Sequence, residues 1–344
     1  MRMLSQEELQ RMHTNQRLLV EELQHRGIDV HVLFAELELI EASFDGHKEL
    51  ILDRDSSINP YAASVVCGDK YLAKRLLDRA GLQVPQGEQF FDGQTDDALI
   101  YAQILGFPVV VKPTFGSHGD GVHLDLENLC HVKDAIEHLL ARDTTKGYLV
   151  EEQFEGKEYR IFITKKGDFA VLHRDPAHVI GDGKRTVAQL AESISHDRMH
   201  PRTTALCPIA LDDIAVNYLA RSERTLDSIP DEDEKLYLRR NSNVASGGTC
   251  EDFTDQAHPS AIGIARRALD VFHGLPYAGI DLMSKDITRP QDDDCYRILE
   301  VNSVPGIHMH LRPGSGTPRN VAKYIVDMMF PETRGRPYAK TEPL

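Results

Sequence analysis

In VVVKPTFGSHGDGV (109–122), Lys112 closes an apolar run and glycines follow at 116, 119 and 121. A loop of that kind turns successive backbone N–H groups toward phosphate oxygens, and glycine lets the ligand come close. The stretch is not a P-loop, because the lysine precedes the glycines and no Gly-Lys-Ser/Thr ends them. The plainer alternative is a strand followed by a flexible turn. Near the C-terminus, Glu300 and Asn302 lie two apart in YRILEVN (296–302), so on a strand both leave one face. If that strand pairs with the one holding Asp281 (PYAGIDLM, 276–283), three oxygen-bearing side chains converge, a donor set suited to Mg²⁺. The alternative is that Asp281 and Glu300 end their strands at the surface, although their flanks are apolar. In EEQFEGKEYRIF (151–162) a strand turns into a second one, with Glu158 and Arg160 facing the same way. An adenine lying against that crossover and a simple charged edge strand both fit. His308 and His310 form a His-x-His, but no nearby carboxylate or cysteine completes a compact metal set.

These residues need elements to hold them. The pattern predicts an amphipathic helix over 5–25, strands at 28–34, 36–43 and 48–52, and a helix over 68–80 closed by Gly81. A helix near 95–105 leads to a strand at 107–112, then a helix around 127–141 and a strand at 148–151. KEYRIFIT and FAVLHRD read as a hairpin turned by 166–168. Residues 185–240 read as mostly polar and helical, an insertion or a substrate-side element, with DEDE (231–234) a solvated loop. A helix over 255–273, the strands 276–283 and 296–302, and a helix over 318–330 complete the chain, with a loosely ordered tail. The expected class is α/β: a short N-terminal lobe (1–66), a main domain (67–331) divided near 90–152 and 153–331, and a tail (332–344).

With 344 residues, 41% hydrophobic and 27% charged, the composition is that of a globular protein. A net charge of −15 argues against a nucleic-acid surface, so anionic substrates need locally placed lysines, arginines and N–H groups. No run of 18 apolar residues offers a membrane span, and MRMLSQEELQ is too charged for a signal peptide. Five scattered cysteines without a C-x-x-C pair argue against disulfides or zinc, and a cytoplasmic setting is expected.

Taken in order, GDKYLAKRLL (68–77), KPTFGSHGDGV (112–122), VEEQFEGKEYRIF (150–162), AHVIGDGKRTVAQL (177–190), RRNSNVASGGT (239–249), GIDLM (279–283) and LEVNSVPGIHMHLRPGSGTPRNVAKYIVDMMFP (299–331) resemble the ATP-grasp superfamily. More narrowly they resemble the ATP-grasp portion of cyanophycin synthetase and the glutathione-synthetase module of bifunctional bacterial glutathione synthases, over about 67–331. The resemblance implies an ATP-grasp fold, two α/β lobes clasping ATP. It implies that Lys70 and Lys112 contact the phosphates under a lid of 115–121 that includes Gly116, Ser117, His118, Gly119 and Gly121. Glu151, Glu152 and Phe154 fall where the family holds adenine, and Glu158 where it holds ribose. Asp281, Glu300 and Asn302 match magnesium ligands, for two ions that Mn²⁺ could replace. Arg174 and Arg240 match basic residues near the γ-phosphate and the tetrahedral intermediate, although Asp175 stands where the pattern has an apolar residue. Ser246, Gly247 and Gly248 resemble the small-residue loop near the acyl substrate, and Arg160, Asn243, His310 and Arg319 fall on the substrate side.

The implied activity is an ATP-dependent carboxylate–amine ligase working through an acyl phosphate on amino acids or short peptides. A phosphotransferase and a non-catalytic nucleotide-binding partner of another ligase are the rival readings. A homo-oligomer is a further expectation. The short region before Cys67 and the end at Leu344 lead to the expectation that the flanking parts of cyanophycin synthetase, and polymer synthesis with them, are missing.

Overall fold

The computed structural model describes residues 2–4, 6–116, 120–142, 147–200 and 203–335. At its centre is an antiparallel five-stranded sheet in the order Thr249–Asp252, Phe169–Asp175, Lys157–Thr164, Tyr277–Ser284, Tyr296–Asn302. Its alternation assigns the two faces. Tyr159, Ile161, Ile163, Val171, Ile280, Leu282 and Ile298 are buried in one core with the helices Tyr61–Gly68, Lys70–Arg79 and Pro259–Val271. The last of these presents Ala261, Ile264, Ala265, Ala268 and Leu269, the spacing of a single helical stripe, and its alanines let the backbone lie close to the sheet. The helix Lys70–Arg79 starts where Asp69 accepts from the backbone N–H groups of Tyr71 and Leu72, both at 3.0 Å.

The opposite face of the central sheet is divided. At one end Phe162, Ala170 and Tyr277 are covered by the N-terminal five-stranded sheet, the helix Thr14–His25 and the helix Val321–Met329, which share one core. Arg26 stitches that junction through Glu22 (2.8 Å) and Asp327 (2.6 Å). At the other end the same face carries charge.

A second antiparallel sheet runs Gly87–Phe90, Tyr148–Glu152, Val109–Pro113, His123–Leu126, backed by the helices Thr95–Leu105 and Leu129–Leu140 around its own core. Residues 177–238 carry another small core built from Ala177, Val179, Leu190, Leu219 and Leu238.

Two expectations are corrected. The helix over 5–25 is two helices, Gln6–Arg11 and Thr14–His25, because His13 leaves helical geometry and its ring accepts from the Asn15 N–H at 3.4 Å. The apolar spacing runs through the break, which hides it. The stretch 185–240 is not mainly helical: beside Val187–Met199 and Asp213–Ala220 it contributes Lys235–Tyr237, paired with His178–Ile180. The tail expected from 332 lies outside the described residues after Gly335.

Candidate functional site

Register brings six polar side chains to the charged end of the central sheet. Glu158 stands opposite Arg174, Arg160 opposite Asp281, Asp281 opposite Glu300, and Asn302 opposite Gly279. Cross-strand partners share a face, and residues two apart along a strand do too. The pairing skips Leu299, a bulge that separates the Asp281–Glu300 pair from Leu282–Ile298. Bulges re-aim side chains in this way beside functional sites.

Arg160 holds both oxygens of Asp281, the outer one at 2.9 Å, and Arg174 donates to Asp281 at 2.9 Å while also pairing with Glu158. Ser242 donates to the other Glu158 oxygen. Gly279 permits this: a Cβ there would lie 3.1 Å from the Arg160 Cδ and 2.7 Å from Pro305. Burial would raise the Asp281 carboxyl, but Arg160 and Arg174 outweigh it and hold the group well below the usual range. Glu300 goes the other way, raised by burial and by Asp281 beside it. Asn302 donates to it at 3.1 Å. Two guanidiniums therefore face three carboxylates, and the negative surplus sits on Glu300.

The smaller sheet carries the opposite balance. Glu151 is 2% exposed, and its carboxylate accepts from Lys112 at 2.8 Å through one oxygen and from Lys74 through the other. Burial would lower the Lys112 ammonium, but Glu151 raises it; the Lys74 ammonium is pulled by burial down to about 7. Lys70 donates to the Gly116 carbonyl, and burial lowers its ammonium while Glu300 pulls it back up. Glu300 raises both Lys70 and Lys112, so the acidic and basic sets lie within electrostatic reach of each other.

At the crossover, Phe154 lies under two cations, with Arg297 at 4.8 Å and Lys285 at 5.8 Å from the ring centre. Glu152 accepts from Arg297 at 2.8 Å. Gly116 and Gly121 hold positive φ, whereas Ser117, His118 and Gly119 lie outside the described residues.

Several expected residues make their contacts outside the Asp281 set. Arg240 is held at 2.7 Å by Glu155 and at 3.7 Å by Asp125, not by the Asp281 set. Arg319 is taken by Asp252 (2.8 Å) and Asp255 (2.6 Å). Asn243 caps the short turn Val244–Ser246 through the Ala245 N–H, and Ser246 donates to the Asn243 carbonyl. Gly247 and Gly248 have a packing reason: a Cβ at 247 would lie 2.5 Å from Ile209, and one at 248 would lie 2.9 Å from the Asn243 carbonyl. His310 is fully buried, neither ring nitrogen has a hydrogen-bond partner among the described residues, and burial lowers it to about 3. It is a neutral imidazole at any ordinary pH. Asp175 is occupied by Lys235 (2.5 Å) and Tyr237 (3.1 Å), which accounts for an acid beside Arg174.

Lys74, Ser242 and Arg297 escaped the sequence reading. Lys74 had a signal, since it follows Lys70 by one helical turn and shares its face. For Ser242 and Arg297 no local pattern marks them out.

The donor set fits a hard divalent cation in one respect: the Glu300 carboxylate is under-compensated, with Asn302 and Asp281 adjacent. Among the described residues no group of three His, Cys, Asp or Glu forms a metal cluster by itself, so the amide and a ligand's own oxygens would be needed. No helix among the described residues is long and apolar enough to cross a membrane.

Residues 69–166 match the carbamoyl-phosphate synthase L chain, ATP binding domain family. The chain is 36% identical over 324 residues to cyanophycin synthetase of Trichormus variabilis, covering 92% of this chain and 35% of that one. It is 31% identical over 334 residues to the glutathione biosynthesis bifunctional protein of Mannheimia succiniciproducens, covering 93% and 42%. The crystal structure of a bifunctional glutathione synthetase from Pasteurella multocida superposes with a TM-score of 0.68 at 29% identity, covering 93% of this chain and 44% of that one. The chain thus spans less than half the length of these relatives. It belongs to the ATP-grasp superfamily and is homologous to cyanophycin synthetase and the bifunctional glutathione synthetases.

Proposed function

We propose that the chain is an ATP-dependent carboxylate–amine ligase that forms an amide through an acyl phosphate. The observation that carries this reading is the pair of opposed charge sets, three lysines around Glu151 within electrostatic reach of the acidic set that ends on Glu300. A triphosphate with its cation has the charges to lie between them.

In this reading Lys70 and Lys112 bind phosphate oxygens, and Gly116 leaves room for a backbone N–H contact, while Gly121 packs against Leu139 and Arg142. Glu152 and Phe154 line the adenine side. The carboxylate of Glu151 is taken by its lysines, so only its backbone is left for the base. Glu158 is shared by Arg174 and Ser242, and a ribose hydroxyl would compete with Ser242. Glu300 and Asn302 would hold Mg²⁺, with Asp281 joining them by exchanging an arginine contact for the ion, as two ions that Mn²⁺ could replace. Bound there, the ion supplies charge neutralisation for the transferring phosphoryl group.

A carboxylate is a poor acyl donor because its leaving group would be oxide. Its oxygen attacks the γ-phosphorus, ADP departs, and the acyl group now carries phosphate as leaving group. Arg174, raised by Asp281 and Glu158 against its own burial, stays charged beside the γ-phosphate position. The amine then adds to the acyl carbon, and the oxyanion is stabilised by Arg240, which exchanges Glu155 for it, or by N–H groups of the loop 243–248. Phosphate leaves with one oxygen of the original carboxylate. The acyl donor is an amino acid or short peptide and the acceptor an amino acid. The reading places the protein in the cytoplasm, where MgATP is abundant.

The test is a phosphate-release screen over paired amino acids and dipeptides, with mass spectrometry of the products. Amide formation with one ADP and one phosphate per bond supports the reading. A phosphorylated product with no acyl phosphate trapped by hydroxylamine would replace it with a phosphotransferase.

A further inference from the structure

Lysine is among the side chains least often buried, because taking an ammonium out of water is expensive unless a partner compensates it. Lys74 is 6% exposed, on a helix whose neighbouring positions Ala73 and Leu77 already fill the core. Packing alone gives this position no reason to be charged. Its ammonium passes from a helix on the central sheet to Glu151 in the smaller sheet. There it meets Lys112, also buried, which holds the other oxygen of the same carboxylate at 2.8 Å. Glu151 and Lys112 lie on adjacent strands, with Val110 opposite Glu151.

Below neutral pH, where Lys74 is charged, the count is two ammoniums and one carboxylate. A carboxylate given to Lys112 alone would cancel it, leaving nothing for a phosphate. Shared between two lysines, the same carboxylate fixes the position of both and leaves one positive charge over. Lys70, one turn before Lys74 on the same helix, adds a further ammonium near the same place.

We infer that Lys74 is a positioning residue of the nucleotide site: by occupying one oxygen of Glu151, it leaves the Lys112 ammonium fixed in place but uncancelled for a phosphate. This rests on the nucleotide reading given above. The competing explanation is that Lys74 is only a strut between helix and sheet. The two differ in what the charge count does, because a strut lost is not restored by removing its partner.

The experiment titrates MgATP into the full chain below neutral pH, where the Lys74 ammonium is charged, for the native protein, Lys74→Met, Glu151→Gln and the double variant. Lys74→Met leaves a one-to-one Glu151–Lys112 pair, and MgATP should bind on the order of 10- to 100-fold more weakly, the worth of a charge-assisted contact. The double variant restores one uncancelled ammonium on Lys112 and should recover most of that loss. Should the methionine variant not fold, Lys74→Gln removes the charge and keeps a donor. Native-like MgATP affinity in folded Lys74→Met, or a folded double variant no better than Lys74→Met, overturns the inference. Native protein that binds no MgATP overturns the nucleotide reading itself, and Lys74 falls with it.

Discussion

Asp281 and Glu151 are both buried carboxylates held by two basic side chains, yet they leave opposite charges behind. Around Asp281 the two arginines are outnumbered once Glu158 and Glu300 are included, so the central sheet ends in a negative surplus. Around Glu151 the lysines outnumber the acid, so the smaller sheet ends in a positive one. The basic residues differ to match. Arginine's planar fork can hold both oxygens of one carboxylate, as Arg160 does, and it is fixed in place by doing so. Lysine is a point charge on a flexible stem and is free to share its field with a moving phosphate. The arginines spend their charge on carboxylates, whereas Lys74 and Lys112, both held by Glu151, leave one positive charge over.

Glu300→Gln should break the comparison most severely. It removes the unpaired negative charge and should cut ligation turnover by on the order of 100-fold or more, read by ADP release, as for other losses of transition-state electrostatics. The same variant should melt no lower than native protein, because Glu300 is raised by burial and by Asp281, and ionising it opposes folding. Asp281→Asn should behave differently: it leaves Arg160 and Arg174 buried without their shared partner and should cost about 3 kcal/mol in denaturant unfolding. Lys112→Ala sharpens the other half. Glu151 keeps Lys74, so the fold should persist while the KM for ATP rises about tenfold or more.

The smallest effect lies outside both sets. Asp327→Asn loosens Arg26, which keeps Glu22, and should cost about 2 kcal/mol with kcat unchanged. Burial would raise Asp327, but Lys323 and Arg26 lower it. A lowered carboxyl stabilises the fold above its unfolded pKa of about 3.9. The gap between native and Asp327→Asn should therefore be full at neutral pH and close as pH falls below that value. A gap that widens in acid would show the pairing is misread.

How far these sets were legible depended on the range of the interaction. Lys112 with its glycines, and Glu300 with Asn302, were readable because strand alternation and glycine are local signals. That Arg160 and Arg174 converge on Asp281 depends on a strand order that brings residues 158–175 beside 277–302, which no local pattern encodes. Lys74 was hidden for a related reason: charges at helical spacing on KYLAKRLLDR look like a solvated face until the second sheet covers them. The helix Tyr61–Gly68 also escaped, its run of small and β-branched residues resembling a buried strand or loop as much as a helix. Arg240 and Arg319 matched basic positions of the resemblance, but the carboxylates that hold them come from distant segments.

The most direct measurement of acyl-phosphate chemistry labels both oxygens of the acyl donor's carboxylate with oxygen-18 and follows the phosphate released during ligation. The account predicts that each phosphate carries one labelled oxygen, transferred when the carboxylate attacks ATP. Unlabelled phosphate accompanying amide formation would contradict it.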